Sequence, residues 1–158
     1  MVDREAPRFR ETTPTAAGSD VERTFLDTNV LIYGDDLDAG PKRERALEVI
    51  DRHMRDGTAV VSTQVLQEFF VIATRKLGVA PQVARRKVEL LGALDVVTID
   101  HTMILAAIDL HRLHSFSFWD ALIVRAAGIG GCARLLTEDL QDGRTIDGIR
   151  IENPFSSS

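Results

Sequence analysis

The chain has 158 residues, of which 44% are hydrophobic and 27% charged, and its formal net charge is −5. That length supports one domain with a real core rather than two, and no apolar run approaches the ~20 residues that a membrane-spanning helix needs. An acidic chain does not hold nucleic acid by phosphate neutralisation alone, so acting on nucleic acid would require a bound cation and a local basic surface.

Residues Met1 to Arg23 carry Pro7, Pro14 and Gly18 among many Thr, Ser, Glu and Arg. They read as a flexible tail, without the apolar centre of a secretory signal. The expected compartment is the cytoplasm, and the single cysteine, Cys132, agrees with it because it cannot form an internal disulfide. Cys132 reads as a small packed residue rather than a nucleophile. Thr24 to Asp27 form a short strand, and Thr28-Asn29 open a helical turn through Val30, Leu31 and Ile32. Gly34 and the acids Asp35, Asp36 and Asp38 make a loop to Gly40. Pro41 then starts a helix with Ala46, Leu47, Val49 and Ile50 on one side, which stops near Gly57.

The run Thr58 to Ser62 is short and apolar, as in a buried parallel sheet. A helix follows from Thr63 to about Leu77, and another from Pro81 to about Leu94. Asp95 to Ile99 form a third strand. Asp100 caps a helix reaching about His114, and Ser117 caps the next, which ends near Gly128 to Gly131. Arg134 to Thr137 form a fourth strand. Ile146 to Glu152 hold a short edge strand before Pro154 and the serine tail at 156–158. Strands separated by helices imply right-handed crossovers. The expected architecture is a three-layer α/β/α fold over residues 24–155, with a central, mainly parallel sheet of four to five strands. In such sheets ligands bind outside the carboxyl ends of the strands.

Four acids fall where that rule points. Asp27 ends the first strand, Asp139 follows the fourth, and Glu68 and Asp120 lie in the early turns of their helices. Taken singly, Asp27 also reads as a turn or cap residue, Asp120 as the acidic partner of a Ser117 cap, and Asp139 as loop chemistry. Glu68 and Asp120 border apolar helix faces, Glu68 near Val65 and Ile72, Asp120 near Ile123 and Val124. A carboxylate near apolar surface is costly unless it is paired or bound to a metal. The nearest cations in sequence are Arg75 and Arg125. Carboxylates without Cys or His select a hard cation, Mg²⁺ or Mn²⁺, whose natural reaction is phosphodiester hydrolysis.

The segment Phe25-Leu26-Asp27-Thr28-Asn29-Val30-Leu31-Ile32-Tyr33 resembles the opening motif of PIN domains. Ser62 to Phe69 resembles the second motif, Ser117 to Ile123 the third and Leu135 to Gly143 the fourth, in the same order and with fitting spacing, over about Thr24 to Phe155. The likeness is greatest to the VapC type, the toxins of bacterial toxin–antitoxin pairs. The resemblance implies Asp27, Glu68 and Asp120 as the main metal ligands and Asp139 as a fourth, more variable acid. It gives Thr28 or Asn29 as support for Asp27, Ser117 as positioning Asp120, and Asp142 as an outer member. It further implies a metal-dependent endoribonuclease acting on RNA, a homodimer and a cognate antitoxin. The tail before Thr24 departs from the pattern.

Other signals stay open. Lys42, Arg43 and Arg45, then Arg75 and Lys76, then Arg85, Arg86 and Lys87, read either as RNA contacts or as solvated helix faces. His111 and His114 have a spacing that can bind metal, but no third His or Cys accompanies them. Trp119 is expected to pack in the core or against the neighbouring helix rather than to stack on a base. The rival functions are a non-catalytic PIN-fold module holding RNA or a peptide, and a phosphoryl-transfer enzyme using Asp27. The latter lacks the second aspartate two residues on that a haloacid-dehalogenase-type phosphatase would show.

Overall fold

A computed structural model describes residues 22–156. Its elements run β1 (Thr24–Leu26), α1 (Thr28–Asp35), α2 (Pro41–Asp56), β2 (Ala59–Ser62), α3 (Thr63–Arg75), α4 (Pro81–Leu91), β3 (Asp95–Val97), α5 (His101–Leu113), α6 (Phe118–Ile129), β4 (Arg134–Leu136), β5 (Thr145–Ile146) and β6 (Ile149–Glu152). The helix starts are chemical. Side chains of Asp27, Ser62, Asp100 and Ser117 accept the first backbone N–H groups of α1, α3, α5 and α6, and proline opens α2 and α4.

The strand order is β3-β2-β1-β4-β6-β5. All pairings are parallel except that of β5 with β6. Among the described residues the sheet has six strands where four to five were expected. The stretch read as one edge strand is part of a hairpin. Asp147 and Gly148 turn at φ 50 and 79, β6 pairs with β4 inside the sheet, and the two-residue β5 forms the edge. The helix α1 is also more than a single turn. It runs through Gly34, expected as loop, because that glycine faces Ile50 and Leu47 of α2, and an added Cβ would lie 3.2 Å from Ile50 Cδ1.

Chain order explains the layers. From β1 the sheet grows outward to β2 and β3, then returns to β4 on the other side of β1. Right-handed crossovers on both legs put α1–α4 on one face and α5–α6 on the other. The packing agrees, with α1 on α2 and α3, α3 on α4, and α5 on α6. The core lies between, on Phe25, Val60, Val61, Leu135 and Ile151 of the sheet and Val65, Phe69, Ala121 and Val124 of the helices. The reversal at β1 and β4 opens a crevice at their carboxyl ends.

Glu22 and Arg23, grouped with the tail by composition, are tied to the sheet. Ala133 N donates to Arg23 O at 3.0 Å, Arg23 pairs with Asp95, and Glu22 meets Arg134 and Arg150. The remainder of the expected tails, 1–21 and 157–158, lies outside the described residues. No described helix is long and apolar enough to cross a membrane.

The end of α6 comes closest to the sheet at Gly130, where an added Cβ would stand 2.9 Å from Val60 Cγ1 and 3.2 Å from Val97 Cγ2. Gly130→Ala therefore overpacks the core and should cost ~1–3 kcal/mol. Gly128→Ala meets only Ile149 Cδ1, at 3.7 Å, and should be neutral or stabilising by ~0.4–1 kcal/mol. Urea unfolding midpoints at unchanged slope measure both.

Candidate active site

Asp27 leaves β1 at the crevice. Its backbone N–H donates to Leu136 O at 3.1 Å, which extends the β1–β4 pairing by one residue and fixes where the side chain starts. The carboxylate is 5% exposed. Its Oδ1 accepts from Thr28 N at 2.7 Å and its Oδ2 from Thr137 Oγ1 at 2.8 Å. Thr137, fully buried directly after β4, also accepts from Asp139 N at 3.1 Å, so one hydroxyl sets two acids. The Asn29 amide lies across the group, with its Nδ2 3.1 Å from Asp139 Oδ2 and 3.5 Å from Asp27 Oδ2.

Glu68 reaches the same place from α3. Its Oε2 accepts from Thr28 Oγ1 at 2.6 Å and its Oε1 from Gln64 Nε2 at 2.9 Å, one helical turn earlier. Gln64 Nε2 also lies 3.4 Å from Trp119 O, beside Asp120. Asp120 is set in the first turn of α6, where its N–H donates to Ser117 Oγ at 3.1 Å. Asp27, Glu68 and Asp139 line one cleft of about 230 Å³ with Thr28, Asn29, Ile32, Tyr33, Ile72 and Lys76. The Tyr33 wall is backed by Glu138, Lys42 and Phe155. Tyr33 OH donates to Glu138 Oε1 at 2.5 Å, Lys42 Nζ donates to Glu138 Oε2 at 3.0 Å, and the Phe155 ring stands edge-on to Tyr33 at 4.9 Å. Asp120 does not line the cleft; it approaches from the α6 side, where the charges of Asp139 and Glu68 act on it.

Several residues singled out in the sequence go elsewhere. Asp142 accepts from Asn153 N and Ser156 Oγ and holds the C-terminal segment. Arg125 pairs with Asp147, not with an acid of the cluster. His111 bonds Phe116 O, and His114 stacks on Phe116 and meets Arg144; both rings are engaged within their own corner. Trp119, expected in the core or against the neighbouring helix, is 62% exposed. It lies in the first turn of α6, where the helix turns Ala121 and Leu122 inward instead, and it touches the Phe118 ring edge-on.

The PIN-domain family model matches residues 24–142. The chain belongs to the PIN-domain family. Solved structures share the fold of this PIN domain. A toxin–antitoxin complex from Klebsiella pneumoniae is 21% identical, with a TM-score of 0.63 over 85% of this chain and 99% of that one. A DNA-bound VapBC from Salmonella typhimurium is 24% identical, with a TM-score of 0.62 over 84% and 98%. VapC20 of Mycobacterium tuberculosis, a sarcin–ricin loop cleaving toxin, is 19% identical, with a TM-score of 0.56 over 71% and 86%. Comparison with curated protein sequences gave no match.

Electrostatically, the centre of this PIN domain is strained by charge. Burial pushes the Asp27 carboxyl from 3.8 up to about 7, Thr137 and Thr28 pull it down by hydrogen bonding, and Asp139 and Glu68 push it further up. Burial also raises Asp120, again with help from Asp139 and Glu68. Among the described residues no three His, Cys, Asp or Glu side chains stand close enough to grip a bare ion. Hydroxyls and amides hold the carboxylates apart. The donor set nevertheless fits a hydrated cation. The acids supply only oxygen, and two carbonyl oxygens beside them, Asn29 Oδ1 and Gln64 Oε1, are buried without a hydrogen-bond partner. Such acceptors call for a water or an ion, and Mg²⁺ usually keeps several of its waters.

Thr137 and Gln64 went unnoticed in the sequence. Gln64 carried a usable signal, since four residues before Glu68 is one helical turn away. Nothing local marked Thr137, which acts across 110 positions.

Between the ordinary carboxylate range and about pH 7, the folded metal-free protein holds a proton on Asp27 that the unfolded chain has lost. The contribution of Asp27 to stability therefore falls as pH rises through that window. His53, lowered by burial, contributes with the opposite slope, so a comparison isolates the acid. Thermal melts in EDTA at pH 5.5 and 8 should show that Asp27→Asn gains stability relative to wild type at pH 8 and loses that advantage at pH 5.5. An advantage equal at both pH values would contradict a burial-raised Asp27.

Proposed function

We propose that this PIN domain is a metal-dependent endoribonuclease and the toxin of a toxin–antitoxin pair. The observation that carries the reading is the meeting of Asp27, Glu68 and Asp139 in one cleft at the reversal point of the sheet, with Asp120 coupled to them. The nature of the neighbours supports the toxin assignment. One is a sarcin–ricin loop cleaving toxin and others are toxin–antitoxin assemblies.

In this reading Asp27, Glu68 and Asp120, with Asp139, hold Mg²⁺ or Mn²⁺ directly or through water. The bound cation supplies an acidified water and charge stabilisation on the oxygens of the phosphodiester. The chain's own residues do the rest. Thr28 N and Thr137 Oγ1 keep both Asp27 oxygens in place, and Asn29 carries Asp139 alongside. Thr28 Oγ1 and Gln64 Nε2 fix the two oxygens of Glu68. The phosphoryl-transfer alternative has no separate support, because Asp27-Thr28-Asn29 lacks the second aspartate two residues on.

The expected partners are RNA, a cognate antitoxin and a second copy of the chain. A run of exposed apolar side chains on α5 (Ile104, Leu105 and Ile108) supports a protein-covered face. The expected place of action is the cytoplasm, a reducing compartment that the free, buried thiol of Cys132 suits.

Incubating the purified protein with total RNA tests this. With Mg²⁺ or Mn²⁺ new ends should appear, and EDTA should abolish them. Asp27→Asn and Asp120→Asn should each lower cleavage by more than about 100-fold, and Thr137→Val, which removes the hydroxyl that orients Asp27 and Asp139, by roughly 10- to 100-fold. Cleavage that persists in EDTA or in both aspartate variants would sink the mechanism. Mg²⁺ binding by calorimetry without cleavage would favour the non-catalytic module.

A further inference from the structure

The cleft is longer than its acids. Gln64, Glu68, Ile72 and Lys76 follow at four-residue intervals along α3 and its C-terminal cap, so they share one face. The last three form one wall of the cleft, opposite Thr28 and Ile32 of α1. Eight residues at ~1.5 Å each put Lys76 about 12 Å along the helix axis from Glu68. The middle of the cleft, between Ile32 and Ile72, offers no charged group.

Lys76 is the one basic side chain among the residues lining the cleft. It is exposed. Most other basic helix residues singled out in the sequence are already neutralised. Lys42 pairs with Glu138, Arg45 with Glu48, Arg85 and Arg86 with Glu89, and Lys87 with Asp35. Among the described residues no ion pair engages Lys76. A plain structural account exists, since a lysine at a helix C-terminus complements the helix dipole. That account does not explain why the cation opens into the cleft that carries the acids.

We propose that Lys76 anchors a backbone phosphate of single-stranded RNA, a few phosphates along the strand from the bond being cut. The strand then runs along the α1–α3 cleft, held at the acids and at Lys76, with an apolar stretch between. Lys76 is thus a positioning residue for the substrate. This rests on the ribonuclease reading above.

The test compares Lys76→Ala with Arg75→Ala, which removes the same charge from the neighbouring residue that does not line the cleft. Steady-state cleavage of a ten-nucleotide RNA and of a dinucleotide is followed with Mg²⁺, and binding of the labelled ten-mer is followed in EDTA as salt is varied. Lys76→Ala should raise KM for the ten-mer roughly three- to tenfold with kcat nearly unchanged. It should reduce the slope of log affinity against log salt by about 0.7, one single-strand phosphate contact. The dinucleotide, too short to span the cleft, should show no effect, and Lys76→Arg should restore the ten-mer. Arg75→Ala should resemble wild type. If Lys76→Ala and Arg75→Ala act alike, or the dinucleotide suffers equally, the anchoring role is wrong while the nuclease reading stands. If the wild-type protein neither cleaves nor binds the RNA, both fall.

Discussion

The structure turns on one buried carboxylate. Asp27 sits almost free of solvent at the carboxyl end of the central strand, where an isolated negative charge is expensive. The fold supplies partial relief from two places far apart in sequence. The end of β4 lends Leu136 O to the Asp27 backbone and the residue after it, Thr137, donates to the side chain, while α1 supplies the Thr28 N–H. The relief is incomplete, because Asp139 and Glu68 repel the same charge. A cluster left under tension in this way is complementary to a cation, and its hydroxyls and amides keep the acids aimed without neutralising them.

The same economy appears in the surroundings of the site. The chain is acidic, yet most of its basic helix residues are tied up in ion pairs on the surface. Exposed pairs of that kind add little stability. Their consequence for the cleft is that positive charge is locally scarce, so a single unpaired lysine carries more weight than the count of basic residues suggests.

How much of this was legible in the sequence followed the range of the interactions. The helix starts at Asp100 and Ser117 were readable because these residues act on donors only three residues away. The placement of Asp27, Glu68 and Asp139 on one rim followed from strand and helix order alone. Thr137 was silent because its partner is a hundred positions distant. Asp147-Gly148 between two isoleucines is a hairpin signal, but the flanking strands are so short that they read as one. Trp119 misled because size suggested burial, whereas α6 buries small and aliphatic residues on the face where it meets the sheet. The family resemblance made Asp142 an outer acid, and its side chain instead clasps the backbone at Asn153.

The reversal at β1 and β4 has a consequence for synthesis. Asp27 emerges from the ribosome early, but the hydroxyl that holds it belongs to Thr137, near the other end of the chain. Asp120, Thr137 and Asp139 all follow β3 in sequence, so the crevice lacks its second side until α6 and β4 are in place. The acidic centre is therefore assembled only when β4 docks, so partly made chains carry no complete site.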